Sequence, residues 1–447
     1  MSRTVAFATL GCRLNQVDTQ ELQGRLEARG FRTVPFEDRA DVVVVNTCTV
    51  TARADVSDRQ AIRRAVRVNP DARVVVTGCW AQTDPTAAAA LAGVDLVIGN
   101  GDKDRLPDLL EALLADREPS PERVHVGDVA ALRGLVPAPL ARRNGRSRAF
   151  LKIQDGCRHR CAFCIVPIAR GGSRSHDPGV VLEQAQRLVA AGHPEIVLTG
   201  VDLGDYGADR VPRTTLAALL ERLLAIPGLR WLRLSSVLPA YFTPALLEVV
   251  TGSKVIAPHL HIPLQSGSDA ILRKMRRPYT TRMYRALVER LAAAIPRLGL
   301  GTDLIAGFPG ETESDFSATV ALVDALPFSY LHTFSYSARK ATEAASFPDT
   351  VEARVIRRRS ARLRAAGAQL NLAFRSRLVG EVTEALVLET RDRTTGRLLA
   401  LTGNYVEVAV DGPDAIMGRL AKIRITAADA RGTEGTLEPQ RGAGEDR

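Results

Sequence analysis

The stretch Ala149–Cys164 reads AFLKIQDGCRHRCAFC and joins an apolar run to three closely spaced thiols. The run Ala149–Gln154 predicts a buried strand, and Cys157, Cys161 and Cys164 follow it in one loop. Three thiolates can bind three irons of a 4Fe-4S cubane and leave the fourth iron open. A structural zinc site is the alternative, but zinc loops usually add a second CxxC or spaced histidines. The spacing favours the cubane.

Outward from this stretch, strand-like and helical segments alternate six times. The predicted strands are Ala149–Gln154, Glu195–Thr199, Trp231–Ser235, His259–Leu264, Leu298–Ala306 and Tyr330–Ser335. Six such units are typical of an open or partial (β/α)6 barrel related to the TIM barrel, whose functional loops follow the carboxyl ends of the strands. We therefore predict a central partial barrel over residues 149–376.

The CxxxCxxC spacing and the six strand–helix units resemble the radical S-adenosylmethionine superfamily. The resemblance implies that the open iron chelates S-adenosylmethionine and that an electron from the cluster cleaves it to a deoxyadenosyl radical. It also implies cofactor contacts from loops at the strand ends, with Thr199 and Gly200 near the amino-acid end and the Gln265 loop near the ribose. The expected cofactor-binding residues are Phe163, Thr199, Gly200, Ser235, Gln265 and Ser266. The alternative is that the glycines of these loops only shape turns.

The N-terminal section, residues 1–130, alternates β-branched runs with helical ones, which predicts an α/β domain with a parallel sheet. Three predicted strands are each followed closely by a cysteine: Thr4–Leu10 by Cys12, Asp41–Asn46 by Cys48, and Ala72–Thr77 by Cys79. The carboxyl ends of parallel strands gather at one edge of the sheet, so these thiols can converge on a second 4Fe-4S cluster. Free buried thiols remain the alternative, because a lone cysteine is often a small buried hydrophobe.

The rest of the chain divides into three parts. Residues 131–148 contain prolines and a basic run and are predicted to be a linker. Glu352–Ser376 is a strongly basic helical stretch, and short strands separated by glycine turns follow it. The last part, residues 377–440, is predicted to be a small antiparallel β-barrel.

Composition limits the class of protein. The chain has 447 residues, more than one core usually spans, and no apolar run approaches the length of a membrane span or a signal peptide. We expect a cytoplasmic protein, and in that reducing compartment six cysteines indicate metal ligands or catalysts rather than disulfides. The net charge of +10 fits a polyanionic partner such as RNA or DNA.

All six cysteines and the three-domain order resemble the methylthiotransferase family, in which a TRAM domain follows the radical S-adenosylmethionine domain. The resemblance implies an enzyme that inserts a methylthio group at an unreactive C–H position. One S-adenosylmethionine serves as methyl donor, another as radical source, and the N-terminal cluster carries the sulfur. It further implies an RNA-binding C-terminal domain, a tRNA substrate contacted through Arg354–Arg364, Arg375 and Arg377, and an unidentified reducing protein. The alternative for these arginines is a solvated helix surface.

Within this family, the motifs GCRLN (residues 11–15), NTCTVT (46–51) and GCWAQ (78–82) are most similar to the branch that modifies threonylcarbamoyladenosine at tRNA position 37. The alternatives are isopentenyladenosine 37 of tRNA, a ribosomal protein or, in a different class, a non-catalytic iron–sulfur RNA-binding protein. One departure concerns the loop after the last barrel strand. Ala341 and Glu343 replace the usual glycine and proline, which puts the local turn and any substrate role of Arg339 in question.

Overall fold

The computed structural model describes residues 3–115, 122–138 and 147–439. Its N-terminal part is a six-stranded, wholly parallel sheet with strand order β2-β1-β3-β4-β5-β6, which confirms the predicted α/β class. Its elements are β1 (Thr4–Thr9), α1 (Arg13–Ala28), β2 (Arg32–Val34), β3 (Val42–Thr47), α2 (Ala52–Val68), β4 (Arg73–Gly78), α3 (Cys79–Thr83), α4 (Pro85–Ala89), β5 (Leu96–Ile98), α5 (Leu106–Ala115) and β6 (Val124–His125).

Two apolar clusters cover the faces of this sheet, because side chains alternate along each strand. Val43 and Val45 pack on one face, while Val42 and Val44 pack on the other, and all four are fully buried. A parallel strand buried on both faces reads as a continuous β-branched run, as this one does.

The central part contains six barrel strands in two three-stranded halves. Its elements are β7 (Arg148–Lys152), β8 (Gln154–Asp155), α6 (Val166–Arg170), β9 (Arg174–Ser175), α7 (Pro178–Ala190), β10 (Glu195–Thr199), α8 (Leu216–Leu224), β11 (Trp231–Leu234), α9 (Pro244–Gly252), β12 (His259–His261), α10 (Asp269–Lys274), α11 (Thr281–Ala294), β13 (Gly299–Ala306), α12 (Glu313–Ala325), β14 (Tyr330–Ser335) and α13 (Ala353–Ser376). The halves have orders β11-β10-β7 and β12-β13-β14, and a parallel bridge between Leu232 and Ile256 joins them.

The barrel is therefore partial, as predicted, with β7 and β14 at its two ends. Two strands end earlier than the sequence predicted. The first barrel strand ends at Lys152, and Gln154–Asp155 pairs antiparallel with β9 instead. The fourth ends at His261, after which the chain turns toward β13 through the bridge between Gln265 and Leu304.

The C-terminal part is a closed five-stranded barrel with order β15-β16-β17-β19-β18. Its strands are β15 (Val382–Arg391), β16 (Leu398–Thr402), β17 (Glu407–Val410), β18 (Leu420–Ala428) and β19 (Thr433–Leu437). The strands predicted from the sequence were Val382–Leu388, Leu398–Leu401, Tyr405–Val410 and Leu420–Ile425, without β19. The pairing of β19 with β17 is parallel, so the predicted antiparallel pattern is corrected at this pair of strands. In the described ranges, no helix is both long and apolar enough to cross a bilayer.

Candidate active site

The first cysteine triad lies at one edge of the N-terminal sheet. Cys48 and Cys79 directly follow β3 and β4, and Cys12 lies three residues after the end of β1. These three strands are neighbours in the sheet. Gly11 adopts φ +91°, and a Cβ there would lie 2.6 Å from Sγ of Cys48, so only glycine allows this approach. The structure therefore brings together the three loops that the sequence predicted to converge.

Polar contacts hold these loops in place. Asn15 donates hydrogen bonds of 2.8 Å to the carbonyls of Leu10 and Thr47, which ties the loop of Cys12 to that of Cys48. The backbone N–H of Cys48 donates to the Asp58 carboxylate at 3.2 Å. Nδ2 of Asn100 lies 3.7 Å from Sγ of Cys79. These contacts orient thiols at a site rather than filling a core.

The electrostatics of the triad suit a metal cluster. Burial and, to a lesser extent, the neighbouring thiols of Cys12 and Cys79 raise the pKa of Cys48 to about 12. Burial also raises the pKa of Cys12, although Arg170 opposes the rise. Buried thiols of this kind become thiolates when a cation compensates their charge.

The spacing of the sulfurs disfavours a single zinc ion. Sulfurs around a tetrahedral zinc at 2.3 Å are about 3.8 Å apart. In the described part of the chain, neither cysteine triad forms a set of ligand atoms that all lie within 4.8 Å of one another. Larger separations suit a multi-iron cluster.

The second triad lies in the loop between β8 and α6. The backbone N–H of Cys157 donates to Gly171, and that of Ala162 donates to Met275, so the loop is anchored at both ends. Nη1 of Arg277 donates to Sγ of Cys161 at 3.2 Å. Burial is the main cause that raises the pKa of Cys164 to about 11. The backbone hydrogen bonds therefore fix the conformation of the loop, and the Arg277 guanidinium lies beside the sulfur of Cys161.

Asp202 is an acidic neighbour of the second triad and lies beside Cys157, whereas Arg277 lies beside Cys161. Its Oδ2 lies 3.7 Å from Sγ of Cys157 and accepts a hydrogen bond of 2.9 Å from the Tyr241 hydroxyl. Nε2 of His159 is 3.3 Å from the same oxygen. Burial is the main cause that raises the pKa of Asp202.

A cavity of about 200 Å³ is lined by residues from the loop after Cys48 and from the loop of the second triad. Val50 and Thr51, which follow Cys48, form one side, and Cys164 with Phe163 lies on another. The residues that line it are Val50, Thr51, Phe163, Cys164, Ile165, Val166, Gln265, Asp303, Ile305, Phe334, Ser335, Tyr336 and Ser337. A reactant in this cavity can reach loops of both triads.

The predicted cofactor residues fall into two groups. Phe163 and Gln265 line the cavity, and Gln265 adopts φ +71° as its loop turns back toward β13. The other four, Thr199, Gly200, Ser235 and Ser266, are absent from its described lining. The Ser266 hydroxyl accepts from the Ser268 N–H at 3.2 Å and so supports its own loop. Cofactor contacts by all six residues stay a prediction.

Arg170 is a residue that sequence reasoning missed. This buried side chain donates to Asp155, just before the second triad, and to Asn15 and Asp18, just after Cys12. Its pKa lies well above the ordinary value because Asp155 and Asp18 outweigh the opposing effect of burial. The sequence analysis also did not single out Arg277, Asp202 and Asp303 as site residues. No spacing in a single sequence signals contacts made between separate loops.

Arg339 has a defined place despite the departure at Ala341. Its Nη2 donates to Thr49 Oγ1 at 2.6 Å and to Asp55 Oδ2 at 2.7 Å, close to the first triad. Ala341 takes φ +72°, and the Thr342 hydroxyl closes the turn on the Arg339 carbonyl at 2.7 Å. The turn therefore forms without glycine, with alanine in the left-handed region.

The basic helix α13 presents only part of its charge. Arg359 is buried and pairs with Glu311 at 2.8 Å. Arg375 donates to the carbonyls of Asp429 and Gly432 and so fastens the C-terminal barrel to this helix. These two arginines serve the fold rather than the phosphate contacts predicted for them. The exposed arginines along this segment are Arg354, Arg357, Arg358, Arg362, Arg364 and Arg377.

Comparison with known protein families divides the chain in the same way. Residues 4–99 match the family described as uncharacterized protein family UPF0004, and residues 151–323 match the radical SAM superfamily. The superfamily match means chemistry with an iron–sulfur cluster and S-adenosylmethionine.

Solved structures share the fold. A radical S-adenosylmethionine methyltransferase from Kitasatospora setae, with cobalamin and a 4Fe-4S cluster bound, aligns with a TM-score of 0.57 at 20% identity and covers 75% of each chain. The cobalamin-dependent S-adenosylmethionine radical enzyme OxsB aligns with a TM-score of 0.51 at 13% identity, over 81% of this chain and 57% of that one.

Several relatives are similar over nearly their whole lengths. The threonylcarbamoyladenosine tRNA methylthiotransferase MtaB of Bacillus subtilis is 39% identical over 97% of this chain and 96% of its own. MtaB of Aquifex aeolicus is 39% identical over 94% and 100%. The tRNA-2-methylthio-N(6)-dimethylallyladenosine synthase of Moorella thermoacetica is 35% identical over 95% and 96%. With one cysteine triad at the edge of the N-terminal sheet, another on a partial barrel and these relatives, the chain belongs to the radical S-adenosylmethionine tRNA methylthiotransferase family.

Proposed function

We propose that this enzyme places a methylthio group on C2 of threonylcarbamoyladenosine at position 37 of tRNA. The observation that carries the proposal is the cavity bounded by loops of both triads, since sulfur transfer to a carbon radical requires both centres to face one substrate. Relatives named for this modification add support. The reaction would take place in the cytoplasm.

The residues divide the work between two clusters. Cys157, Cys161 and Cys164 would hold the cluster that binds S-adenosylmethionine, and Cys12 with its two partners would hold a second 4Fe-4S cluster. When bound, these groups supply the electron for cofactor cleavage and the sulfur for transfer. Phe163 would shield the cavity from water.

The overall reaction balances as follows. A C–H bond of the adenine would be exchanged for a C–S bond to sulfur from the first cluster. The hydrogen atom would leave on deoxyadenosine, which forms when one electron breaks a C–S bond of one S-adenosylmethionine and methionine is released. One electron would return to the first cluster as the new C–S bond forms. The methyl group comes from a second S-adenosylmethionine, which leaves as S-adenosylhomocysteine. Electrons would come from a reducing protein. Its capacity to support turnover would identify it.

Binding of tRNA would use the C-terminal barrel, residues 377–440, as a TRAM-type RNA-binding domain and the exposed arginines of α13. Phosphate contacts position the RNA without reading its sequence, so the choice of base falls to the cavity. An adenosine beside the anticodon lies in a loop and can be turned out of its stack for chemistry.

Isopentenyladenosine at the same tRNA position is the second candidate, because relatives such as the Moorella thermoacetica enzyme are named for that nucleoside. Mass spectrometry of tRNA nucleosides from a deletion strain decides between them. We expect loss of 2-methylthio-threonylcarbamoyladenosine, restored by the wild-type gene and not by Cys161→Ala. Loss of the isopentenyl product instead would overturn the proposed substrate.

Catalysis itself is tested with anaerobically reconstituted protein. Under reduction, the wild-type enzyme should release deoxyadenosine from S-adenosylmethionine, and Cys161→Ala should not. A non-catalytic iron–sulfur RNA-binding protein would release none in either case.

A further inference from the structure

Three side chains meet on the inner face of the second half-barrel: His261 on β12, Asp303 on β13 and His332 on β14. One nitrogen of each imidazole and one carboxylate oxygen all lie within 4.8 Å of one another. Nε2 of His261 is 3.0 Å and Nδ1 of His332 is 3.3 Å from the same oxygen, Oδ1 of Asp303. None of the three belongs to a cysteine triad.

Strand register explains why they meet. His261 pairs with Gly301, and Asp303 pairs with His332 across the next strand boundary. Gly301 and Asp303 are two residues apart on β13, so their faces coincide because side chains alternate with a period of two. A Cβ at Gly301 would lie 2.0 Å from Cζ of Tyr330, so the position of this ring requires glycine at residue 301.

Nε2 of His261 lies within hydrogen-bond distance of Oδ1 of Asp303, but the angle at the nitrogen does not suit a hydrogen bond. In the described structure, Nε2 of His261 has no hydrogen-bond partner, although only 6% of this residue is exposed. A buried nitrogen that lies 3.0 Å from a carboxylate oxygen, but is not aligned for a hydrogen bond, is explained by an ion that both groups bind.

A second layer of contacts fixes the His261 ring. Its Nδ1 lies 3.0 Å from the Tyr330 hydroxyl, and that hydroxyl lies 2.9 Å from Nε2 of His259. If Nδ1 of His261 donates to Tyr330, and Tyr330 donates to His259, Nε2 of His261 carries a lone pair that is free to bind an ion. An imidazole that binds a metal is held in this way by a partner on its other nitrogen.

We propose that His261, Asp303 and His332 bind a divalent transition-metal ion, with zinc and iron(II) as the ions that suit two imidazoles and one carboxylate. Three protein ligands leave coordination positions for water or an oxygen of a reactant. Asp303 also lines the cavity between the triads, so these positions adjoin the reactants. Of the described lining residues, none is a lysine or arginine, and the ion would give this cavity its positive charge. The proposal rests on local geometry and is independent of the substrate proposed above.

The test is zinc binding to the full-length protein after anaerobic cluster reconstitution, so that the thiols are already occupied. Isothermal titration of Zn²⁺ should show one saturable site, and His332→Ala should weaken its affinity at least about tenfold. His332 is largely exposed, so this variant should fold. His125→Ala, a histidine on β6 of the N-terminal sheet, is the matched control and should leave the affinity unchanged.

X-ray absorption at the zinc edge then identifies the ligands. The proposal expects nitrogen and oxygen neighbours at about 2.0–2.1 Å, and Asp303→Asn should reduce zinc occupancy as His332→Ala does. Sulfur neighbours at about 2.3 Å would place zinc on the cysteines and overturn the proposal. Equal affinity in wild type and His332→Ala, or absence of saturable binding, would overturn it as well.

Discussion

Arg339 donates a hydrogen bond of 2.7 Å from Nη2 to Oδ2 of Asp55 and so joins the loop after β14 to helix α2. Both side chains are mostly buried, with 12% and 16% exposed. Beside this pair, the Ala52 N–H donates to the Ser337 hydroxyl at 3.0 Å. The contact holds the Cys48 loop of the N-terminal domain against the cavity wall that β14 provides.

We expect Arg339→Ala to uncouple the two halves of the reaction. Misplacement of a reacting group by about 1 Å can cost on the order of 10²-fold in rate, so methylthio product should fall by that order. Deoxyadenosine formation should persist because the second triad is untouched. Both products are measured in one assay. Arg276→Ala, which removes an exposed pair with Glu343, is the control, and equal loss of both products in Arg339→Ala would contradict the prediction.

Cys48→Ala should separate the roles of the triads. Without this thiol the first cluster loses a ligand, so we expect retained cofactor cleavage and lost methylthio product. Iron analysis after reconstitution should show the content of one cluster instead of two. If deoxyadenosine release were also lost in a variant with normal circular dichroism, separate roles for the triads would be wrong.

Arg277→Gln should make the cluster on the second triad harder to reduce. The guanidinium donates to Sγ of Cys161, and positive charge with hydrogen bonding at a ligand sulfur stabilises the reduced cluster. The reduction potential should therefore become more negative, and deoxyadenosine formation should slow with a weak reductant. A redox titration followed by electron paramagnetic resonance measures the potential. Arg160→Gln removes an exposed charge from the same loop, and its potential should match that of wild type.

The buried pair of Arg233 and Glu195 should be important for stability. Both side chains are fully buried at 2.8 Å, and Arg233 also donates to the Gly403 carbonyl of the C-terminal barrel. Removal of one partner leaves a buried charge, so Glu195→Ala should cost about 3–5 kcal/mol. Glu183→Ala breaks only an exposed helical pair with Arg187 and should cost less than about 1 kcal/mol. Thermal unfolding of both variants checks this, and equal melting temperatures would refute it.

Ala341→Gly should stabilise the protein slightly. The left-handed conformation costs an L-residue about 1–2 kcal/mol, and glycine avoids this cost while losing part of the gain to unfolded-state entropy. The net expected gain is about 1 kcal/mol or less, visible as a higher melting temperature. Ala338→Gly in the same loop, where φ is ordinary, should lower that temperature instead.

Much of the architecture followed from local pattern. The alternating strands and helices predicted the parallel sheet and the partial barrel, because burial of each face selects residues at regular intervals. The convergence of the loops of Cys12, Cys48 and Cys79 was also predictable, since each cysteine followed a strand and parallel strands end on one edge. Strand β19 was missed because TEGTL has a glycine at its centre and only one large apolar residue.

Contacts between distant segments could not be predicted. Arg170 and Arg339 each bridge two domains, and their positions depend on how those domains pack, which no sequence spacing records. Arg375 was assigned to RNA from its charge alone, yet it binds backbone carbonyls of the C-terminal barrel.

The sequence by itself determined that the thiols of the second triad lie close together, because Cys157, Cys161 and Cys164 fall within eight residues of one loop. It also determined the order of the domains, since periodicity and glycine turns are properties of short segments. The tertiary structure alone decided that loops next to both triads border one cavity and that His261, Asp303 and His332 share a face. The reason is that register and domain packing set which side chains meet, and both depend on contacts distributed over the whole chain.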